Sequence, residues 1–196
     1  MRPPVIGLIG AIGAGKSTAA RLLAARGGLV IDADRLGHAA INRPEVLAKL
    51  VERWGPTLAN PDGSANRRAV AGIVFRDRDE LKYLESLLFP IIGGMALEMI
   101  RGSSAPFIVI DAAMLIEAGW RPMCDRVFYI DAPRELRLHR VKERGGWSDA
   151  DLAEREAAQM PAEEKKASAD AVVMNDGTAD ELRAKLDAVL VQWGLV

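Results

Sequence analysis

Residues 10–17 read Gly10-Ala11-Ile12-Gly13-Ala14-Gly15-Lys16-Ser17, and they follow the apolar run 5–9 directly and precede a segment of helical period. The spacing is G-x-x-x-x-G-K-[ST], set between an expected strand and an expected helix. Glycines let a backbone bend until successive N–H groups converge on one point, and the helix that follows adds the positive end of its dipole. Such a loop suits the oxygens of a phosphate chain. Lys16 is then the group that reaches the β- and γ-phosphates, and the Ser17 hydroxyl is the one that holds Mg²⁺. A glycine-rich turn with no ligand is the rival explanation, but the Lys-Ser pair and both flanking elements agree with phosphate binding. The loop points to a purine nucleoside triphosphate and leaves the second substrate open among small-molecule kinases, GTPase switches and motor-like ATPases.

Around this loop the chain alternates short β-branched runs with longer stretches of helical period. The runs at 5–9, 29–31, 107–110, 126–130 and 171–174 are nearly continuous in apolar residues, as strands buried on both faces of a parallel sheet are. Helical spacing marks 16–26, 45–54, 78–100, 133–144, 149–159 and 178–193. This order predicts an α/β fold, a parallel five-stranded sheet flanked by helices with right-handed crossovers. Ser148 with Asp151 and Thr178 with Glu181 are spaced as capping pairs, and Pro133 suits a first helical turn. Asn60-Pro61-Asp62-Gly63 reads as a turn, and Pro90 is expected to bend or split the helix over 78–100. Residues 36–100 and 141–168 stand apart from the alternation as helical appendages over the carboxyl edge of the sheet, where such sheets bind ligands.

Composition narrows the function classes. With 26 Lys+Arg against 27 Asp+Glu, the 196-residue chain has no broad excess of positive charge for nucleic acid. Its 49% hydrophobic residues suffice for a packed core. The single cysteine, Cys124, rules out an internal disulfide or a cysteine zinc cluster, and His38 and His139 read as polar surface or hydrogen-bonding residues. The run at 5–9 is too short and glycine-interrupted for a signal peptide or a span. A cytoplasmic protein is expected, with no nucleic-acid or membrane partner, as a monomer or weak homo-oligomer.

Two carboxylate sites and one arginine strip carry further chemistry. Ile31-Asp32-Ala33-Asp34 ends the second expected strand, where an aspartate can take a proton from an attacking hydroxyl or help to place Mg²⁺. Alternation in an extended segment would put Asp32 and Asp34 on one side, so spacing leaves the choice open, and Asp34 could instead cap the next helix. Asp111 closes the run Phe107-Ile108-Val109-Ile110 in the manner of a carboxylate that orders a metal-bound water, although turn preference also puts Asp at strand ends. Arg137, Arg140 and Arg144 share a helical face. They form either a cationic strip that closes on ATP or a solvated face paired with Glu135 and Glu143.

With these residues in view, the sequence resembles the dephospho-coenzyme A kinase family along nearly its whole length. The family's opening strand and G-[GS]-I-G-x-G-K-S-T loop correspond to Ile6 through Thr18, and its V-I-D-A-D signature to Val30 through Asp34. Its D-G-x-x-x-R and V-F elements are similar to Asp62-Gly63, Arg67-Arg68 and Val74-Phe75, and its P-L-L-F-E loop to Ala113 through Glu117. The paired-arginine helix matches Arg140 and Arg144. The A-x-Q-M-P and A-D-x-V-x-x-N-x-G stretches match Ala158 through Pro161 and Ala169 through Gly177. Departures stand at Ala113, Phe89, Asn42-Arg43-Pro44 and Gly145, on the acceptor side or in the lid.

The resemblance implies an ATP-dependent phosphotransferase with an alcohol acceptor, acting on dephospho-coenzyme A with Mg²⁺. It implies a core of 1–35, 101–140 and 169–196, an acceptor-binding helical region over 36–100, and a lid over 141–168. It selects Asp34 over Asp32 as the base, with Lys16 and Arg140 beside it in catalysis. ATP and its phosphates would be bound by Ala11, Ile12, Gly13, Ala14, Gly15, Lys16, Ser17, Thr18, Arg140, Arg144 and Asn175. The acceptor would be met by Asp34, His38, Leu115 and Glu117, and the metal by Ser17, Asp34 through water, and Asp111. A kinase of another nucleoside or nucleotide shares most of these features. A nucleotide-dependent switch is a further alternative, but no N-K-x-D segment is present.

Overall fold

The structure, a computed structural model, describes residues 2–196. In chain order the elements are β1 (Val5–Gly10), α1 (Lys16–Ala25), β2 (Leu29–Asp32), α2 (Ala33–Ile41), α3 (Pro44–Trp54), α4 (Arg67–Val74), α5 (Arg78–Arg101), β3 (Ile108–Asp111), β4 (Arg126–Asp131), α6 (Arg134–Gly145), α7 (Asp149–Ala157), α8 (Ala162–Ala167), β5 (Ala171–Met174) and α9 (Ala179–Gln192). The chain divides into two compact units, Met1–Asp32 with Ile100–Val196, and Ala33–Met99.

The first unit holds the whole sheet, parallel throughout, in the order β2-β3-β1-β4-β5. β1 is central and buried along its length, which is why its sequence is a continuous apolar run rather than an alternating one. Ile6 and Leu8 of β1 with Phe128 and Ile130 of β4 pack against Leu23 of α1 and against Leu182, Leu186 and Leu190 of α9. The register sets Asp32 opposite Asp111 at the strand ends from which the phosphate loop also departs. Both capping pairs form. Ser148 and Asp151 close α7, and Thr178 and Glu181 close α9, each with side chain and backbone bonded reciprocally. Cys124 is buried just before β4, its thiol 3.8 Å from the Trp120 carbonyl, and desolvation pushes it up to about 12.

The second unit is helical, with a core of its own formed by Ile41, Val46, Leu50, Leu58, Val70 and Val74. Leu84, Leu87, Leu88 and Ile91 of α5 pack onto it. That use explains the apolar character of α5, whose best 18-residue window has a mean hydropathy of 1.4, long and apolar enough by composition to cross a membrane. The Arg53 guanidinium donates to both Glu80 oxygens at 2.6 and 2.9 Å, and Trp54 Nε1 joins at 2.8 Å. The expected turn forms, with the Gly63 N–H donating to Asn60 O at 3.0 Å and Ala59 bridging to Ala65.

Three sequence expectations are corrected. α5 runs unbroken for 24 residues through Pro90, which is exposed, so the carbonyl deprived of its donor one turn earlier at exposed Ser86 remains open to water. β2 passes into α2 without a loop. Asp34 therefore lies within the first helical turn instead of capping it, and the strand alternation that would pair it with Asp32 ends at Asp32 itself. α2, α4 and α8, at 9, 8 and 6 residues, are too short for their period to have been marked as separate helices. α4 nonetheless has a local signal, the Asn66 side chain accepting from the Ala69 N–H at 3.1 Å.

Candidate active site

The loop from Gly10 to Ser17 is shaped by two left-handed glycines, Gly13 at φ +78° and Gly15 at φ +94°. Neither position has room for a side chain. A Cβ on Gly13 would lie 2.8 Å from the Arg137 carbonyl oxygen, and one on Gly15 would lie 2.2 Å from Asn175 Nδ2. Within the loop Ala11 N–H donates to Ile130 O and Ala14 N–H to Ala11 O. The N–H groups of Gly13, Gly15, Lys16 and Ser17 meet no backbone carbonyl among the described residues, and no side chain caps α1. An uncapped helix start behind a bent glycine loop is a concentration of free N–H donors, the arrangement that binds phosphate oxygens.

Lys16 and Asp111 form an ion pair, their side chains 20% and 13% exposed, so the loop's cation faces the carboxylate that ends β3. Asp32 is its register neighbour on β2. The loop is fixed from behind through its carbonyls. Arg137 NH1 donates to Ile12 O at 3.2 Å, Arg140 NH1 to Ala14 O at 3.3 Å and Asn175 Nδ2 to Ala14 O at 2.7 Å. Arg140 also reaches Asn175 O at 3.2 Å, which links α6 to the segment after β5. By turning its carbonyls toward these donors the loop keeps its remaining N–H groups for an anion. Sequence reasoning left Arg137 either in a strip that closes on ATP or on a solvated face paired with Glu135 and Glu143. Arg137 is instead only 12% exposed, held by Ile12 O, by Ala132 O at 3.1 Å and by an ion pair with Glu156, while Arg144 is exposed.

A second cluster lies where the residues after β3 meet α7 and α8. Lys165 is 2% exposed, and its ammonium donates to Ala113 O at 2.9 Å, Gln159 Oε1 at 3.1 Å and Glu117 Oε1 at 2.9 Å. The Met160 N–H also donates to Glu117 Oε1, at 3.2 Å, and Leu115 is fully buried beside them in sequence. Lys166 pairs with Asp131 at the end of β4 and with Glu163, and those two partners raise its pKa above the ordinary lysine value. A cleft of about 610 Å³ runs from Gly10, Ala11 and Ile12 along Tyr129, Arg137 and Glu156 to Met160. The Tyr129 hydroxyl is buried without a partner, and desolvation raises its pKa. Sequence reasoning missed Lys165, Lys166 and Asp131. Apart from the local pair of Lys166 with Glu163, their pairings join distant parts of the chain and follow no period.

Asp34 and His38 belong to the second unit, exposed on α2 four residues apart. The residues present suit Mg²⁺. Exposed Ser17 and strand-end Asp111 are hard oxygen donors near the free loop amides, and Mg²⁺ takes one or two such groups beside substrate phosphates.

A parallel sheet in this strand order, with a glycine-rich phosphate loop leaving its central strand, defines the P-loop kinase fold. Solved structures of low identity share it. A dephospho-CoA kinase from Campylobacter jejuni aligns at 21% identity and TM-score 0.61, covering 97% of each chain, and a shikimate kinase from Acinetobacter baumannii at 16% and 0.58, covering 97% of this chain and 94% of that one. A sequence profile of the dephospho-CoA kinases matches residues 4–181, and the dephospho-CoA kinase of Geobacter sulfurreducens is 39% identical over 190 residues, 94% of this chain and 96% of that one. The crystal structure of TT1252 from Thermus thermophilus aligns at 37% identity and TM-score 0.83 over 98% of both chains. The chain belongs to the dephospho-CoA kinase family.

Proposed function

We propose that the protein transfers the γ-phosphoryl group of ATP to the ribose 3′-hydroxyl of dephospho-coenzyme A, giving coenzyme A and ADP, the last step of coenzyme A biosynthesis. What carries the reading is the union of family membership over nearly the whole chain with an uncapped α1 whose lysine faces a strand-end carboxylate. Phosphoryl transfer asks a protein mainly for positioning and charge neutralisation. The loop amides and Lys16 take the β- and γ-phosphates, releasing Asp111. Ser17 and Asp111 would hold Mg²⁺, with Asp34 assisting through water, and the ion would supply neutralisation of phosphate charge. Arg140 and Asn175 keep the loop in register from behind, and Thr18 and Arg144 complete the phosphate-binding set.

Asp34 takes the proton from the acceptor hydroxyl. Residues 36–100, including His38, bind the acceptor, with Leu115 and Glu117 as its contacts from the core. Residues 141–168 close as a lid that excludes water. We place the protein in the cytoplasm, as a monomer or weak homo-oligomer.

The test is a transfer assay on the purified protein with dephospho-coenzyme A and each of ATP and GTP. ATP-dependent formation of coenzyme A is expected. Nucleotide hydrolysis indifferent to the acceptor, or transfer only to another nucleoside or nucleotide, would overturn the reading. Asp34→Asn sharpens it. Loss of the base lowers kcat about 10²- to 10⁴-fold with little change in either KM. Near-normal kcat in that variant, with activity abolished in Asp32→Asn or Asp111→Asn, moves the base elsewhere.

A further inference from the structure

The cluster around Lys165 does more than fasten α8 to the core. A lysine this deeply buried costs several kcal/mol unless its charge and its donors are met, and here three oxygens meet them: Ala113 O, Gln159 Oε1 and Glu117 Oε1. Two of the three belong to the stretch 113–117, which follows β3 two residues beyond Asp111, itself the partner of Lys16. The third belongs to the short link between α7 and α8. The Glu117 carboxylate is used unevenly. Oε1 accepts both the Lys165 ammonium and the Met160 N–H, whereas Oε2 is buried and has no donor among the described residues. A buried carboxylate oxygen is a strong acceptor, and one left without a donor is costly.

We propose that Lys165 is a positioning residue for the acceptor substrate: by holding Glu117 Oε1, together with the Met160 N–H, it presents Oε2 to a hydroxyl or amide N–H donor of that substrate. The inference rests on the proposed phosphoryl transfer to dephospho-coenzyme A and adds to it a residue and an atom. Lys165 touches neither substrate. Its work is to fix which carboxylate oxygen is already engaged, so that the other is oriented before the acceptor arrives, and in doing so it links the stretch after β3 to the turn at Gln159 and Met160. The Glu117 side chain is 17% exposed as a whole while Oε2 itself is buried, so a donor of the substrate reaches that oxygen through a small displacement of its neighbours.

Glu117→Gln keeps the shape. Its amide oxygen goes to Lys165 and Met160, and its NH₂ then occupies the place of Oε2, where a donor meets a donor. The expected result is a KM for dephospho-coenzyme A raised about tenfold or more, the loss of one charged hydrogen bond, with the KM for ATP within about twofold of wild type. Lys165→Met should raise the same KM and lower the melting temperature, because it leaves Glu117 buried without its counterion. The double variant Lys165→Met/Glu117→Gln decides the matter, since it removes both charges. Positioning predicts that the melting temperature recovers while the acceptor KM stays raised, no higher than the larger single effect. A purely structural pair predicts that temperature and KM recover together, and that result overturns the proposal. An unmoved acceptor KM in Glu117→Gln also overturns it, since Oε2 then receives no donor from the substrate.

Pantetheine, which carries no nucleotide and so does not compete for the phosphate loop, separates the two sources of the donor when used as an inhibitor competitive with the acceptor. A weakened inhibition constant in Glu117→Gln places the donor on the pantetheine arm, and an unchanged one, with the acceptor KM raised, places it on the nucleoside portion. If wild-type protein forms no coenzyme A from dephospho-coenzyme A, the proposed function fails instead, and that outcome is read before any variant is made.

Discussion

The phosphate loop and the stretch from Glu156 to Lys166 border the same cleft, yet they are held by different means. Main-chain geometry holds the first: two left-handed glycines, an uncapped helix start and carbonyls bonded from behind. Paired charges hold the second, with Glu156 on Arg137, Lys165 on Glu117 and Lys166 on Asp131. Main-chain geometry has few alternatives and offers a preformed anion site. Ion pairs between long side chains can be exchanged for water, so a segment held by them can open without unfolding the sheet. The contrast suits a cradle that stays fixed and a cover that moves.

The largest expected effect breaks the first region chemically while sparing its shape. Lys16→Ala should reduce phosphoryl transfer about 10³- to 10⁵-fold, as removal of a charge-neutralising cation does in this chemistry, with circular dichroism unchanged. Turnover within threefold of wild type would detach Lys16 from phosphate. Next comes a change of shape alone. Gly15→Ala forces a left-handed alanine against Asn175 Nδ2, so nucleotide affinity should fall about 10- to 100-fold, and calorimetry should register about 1–3 kcal/mol of lost stability. An alanine that left affinity intact would show that the cradle is softer than its geometry.

The cover should respond more mildly. Glu156→Gln leaves Arg137 its carbonyl partners but removes its counterion, and a loss of about 1–2 kcal/mol is expected. Hydrogen exchange should quicken over Asp149–Ala157, with ATP and an acceptor analogue slowing it again, while α1 is unmoved. Equal quickening in both places would erase the distinction between cradle and cover. The smallest effect lies outside both regions. The Thr178 N–H and hydroxyl hold the Glu181 carboxyl below its ordinary value of 4.5, so its contribution to stability is complete above that pH and fades as pH falls through the lowered folded value. Thr178→Ala should cost about 1 kcal/mol near neutrality and less in acid, measured by urea melts at the two pH values.

The same contrast decides what could be read from the amino acids. The strands emerged to within a residue because parallel strands buried on both faces leave continuous β-branched runs, and both capping pairs emerged because a three-residue spacing is local. The phosphate loop was legible for the same reason, since its glycines, lysine and serine are consecutive. Capping stood for Asp34 only as the rival to a base, and the passage of β2 straight into α2, with no loop residues between them to betray it, removes that rival by placing Asp34 inside the first helical turn. Glu117, Gln159 and Met160 were named through the resemblance, but Lys165, which joins them, gave no sign. Lys165 and Ala113 are 52 positions apart, their bond depends on tertiary placement, and two adjacent lysines in a charged helical stretch look like any solvated face. Arg137 was found by its helical spacing, but its carboxylate partner is Glu156 rather than Glu135 or Glu143, since spacing reports a face and not what lies against it.

Cys124 lies just before β4, at the end of the sheet away from the phosphate loop, and it is a free thiol in a protein whose proposed substrate also carries one. The proposed acceptor and its product both end in a free thiol, a standing opportunity for disulfide exchange with any protein thiolate within reach. Exchange needs a thiolate, and burial that lifts the thiol to about 12 leaves almost none at neutral pH. The protein can thus work among high concentrations of a thiol metabolite, through swings in redox state, without becoming covalently joined to what it makes.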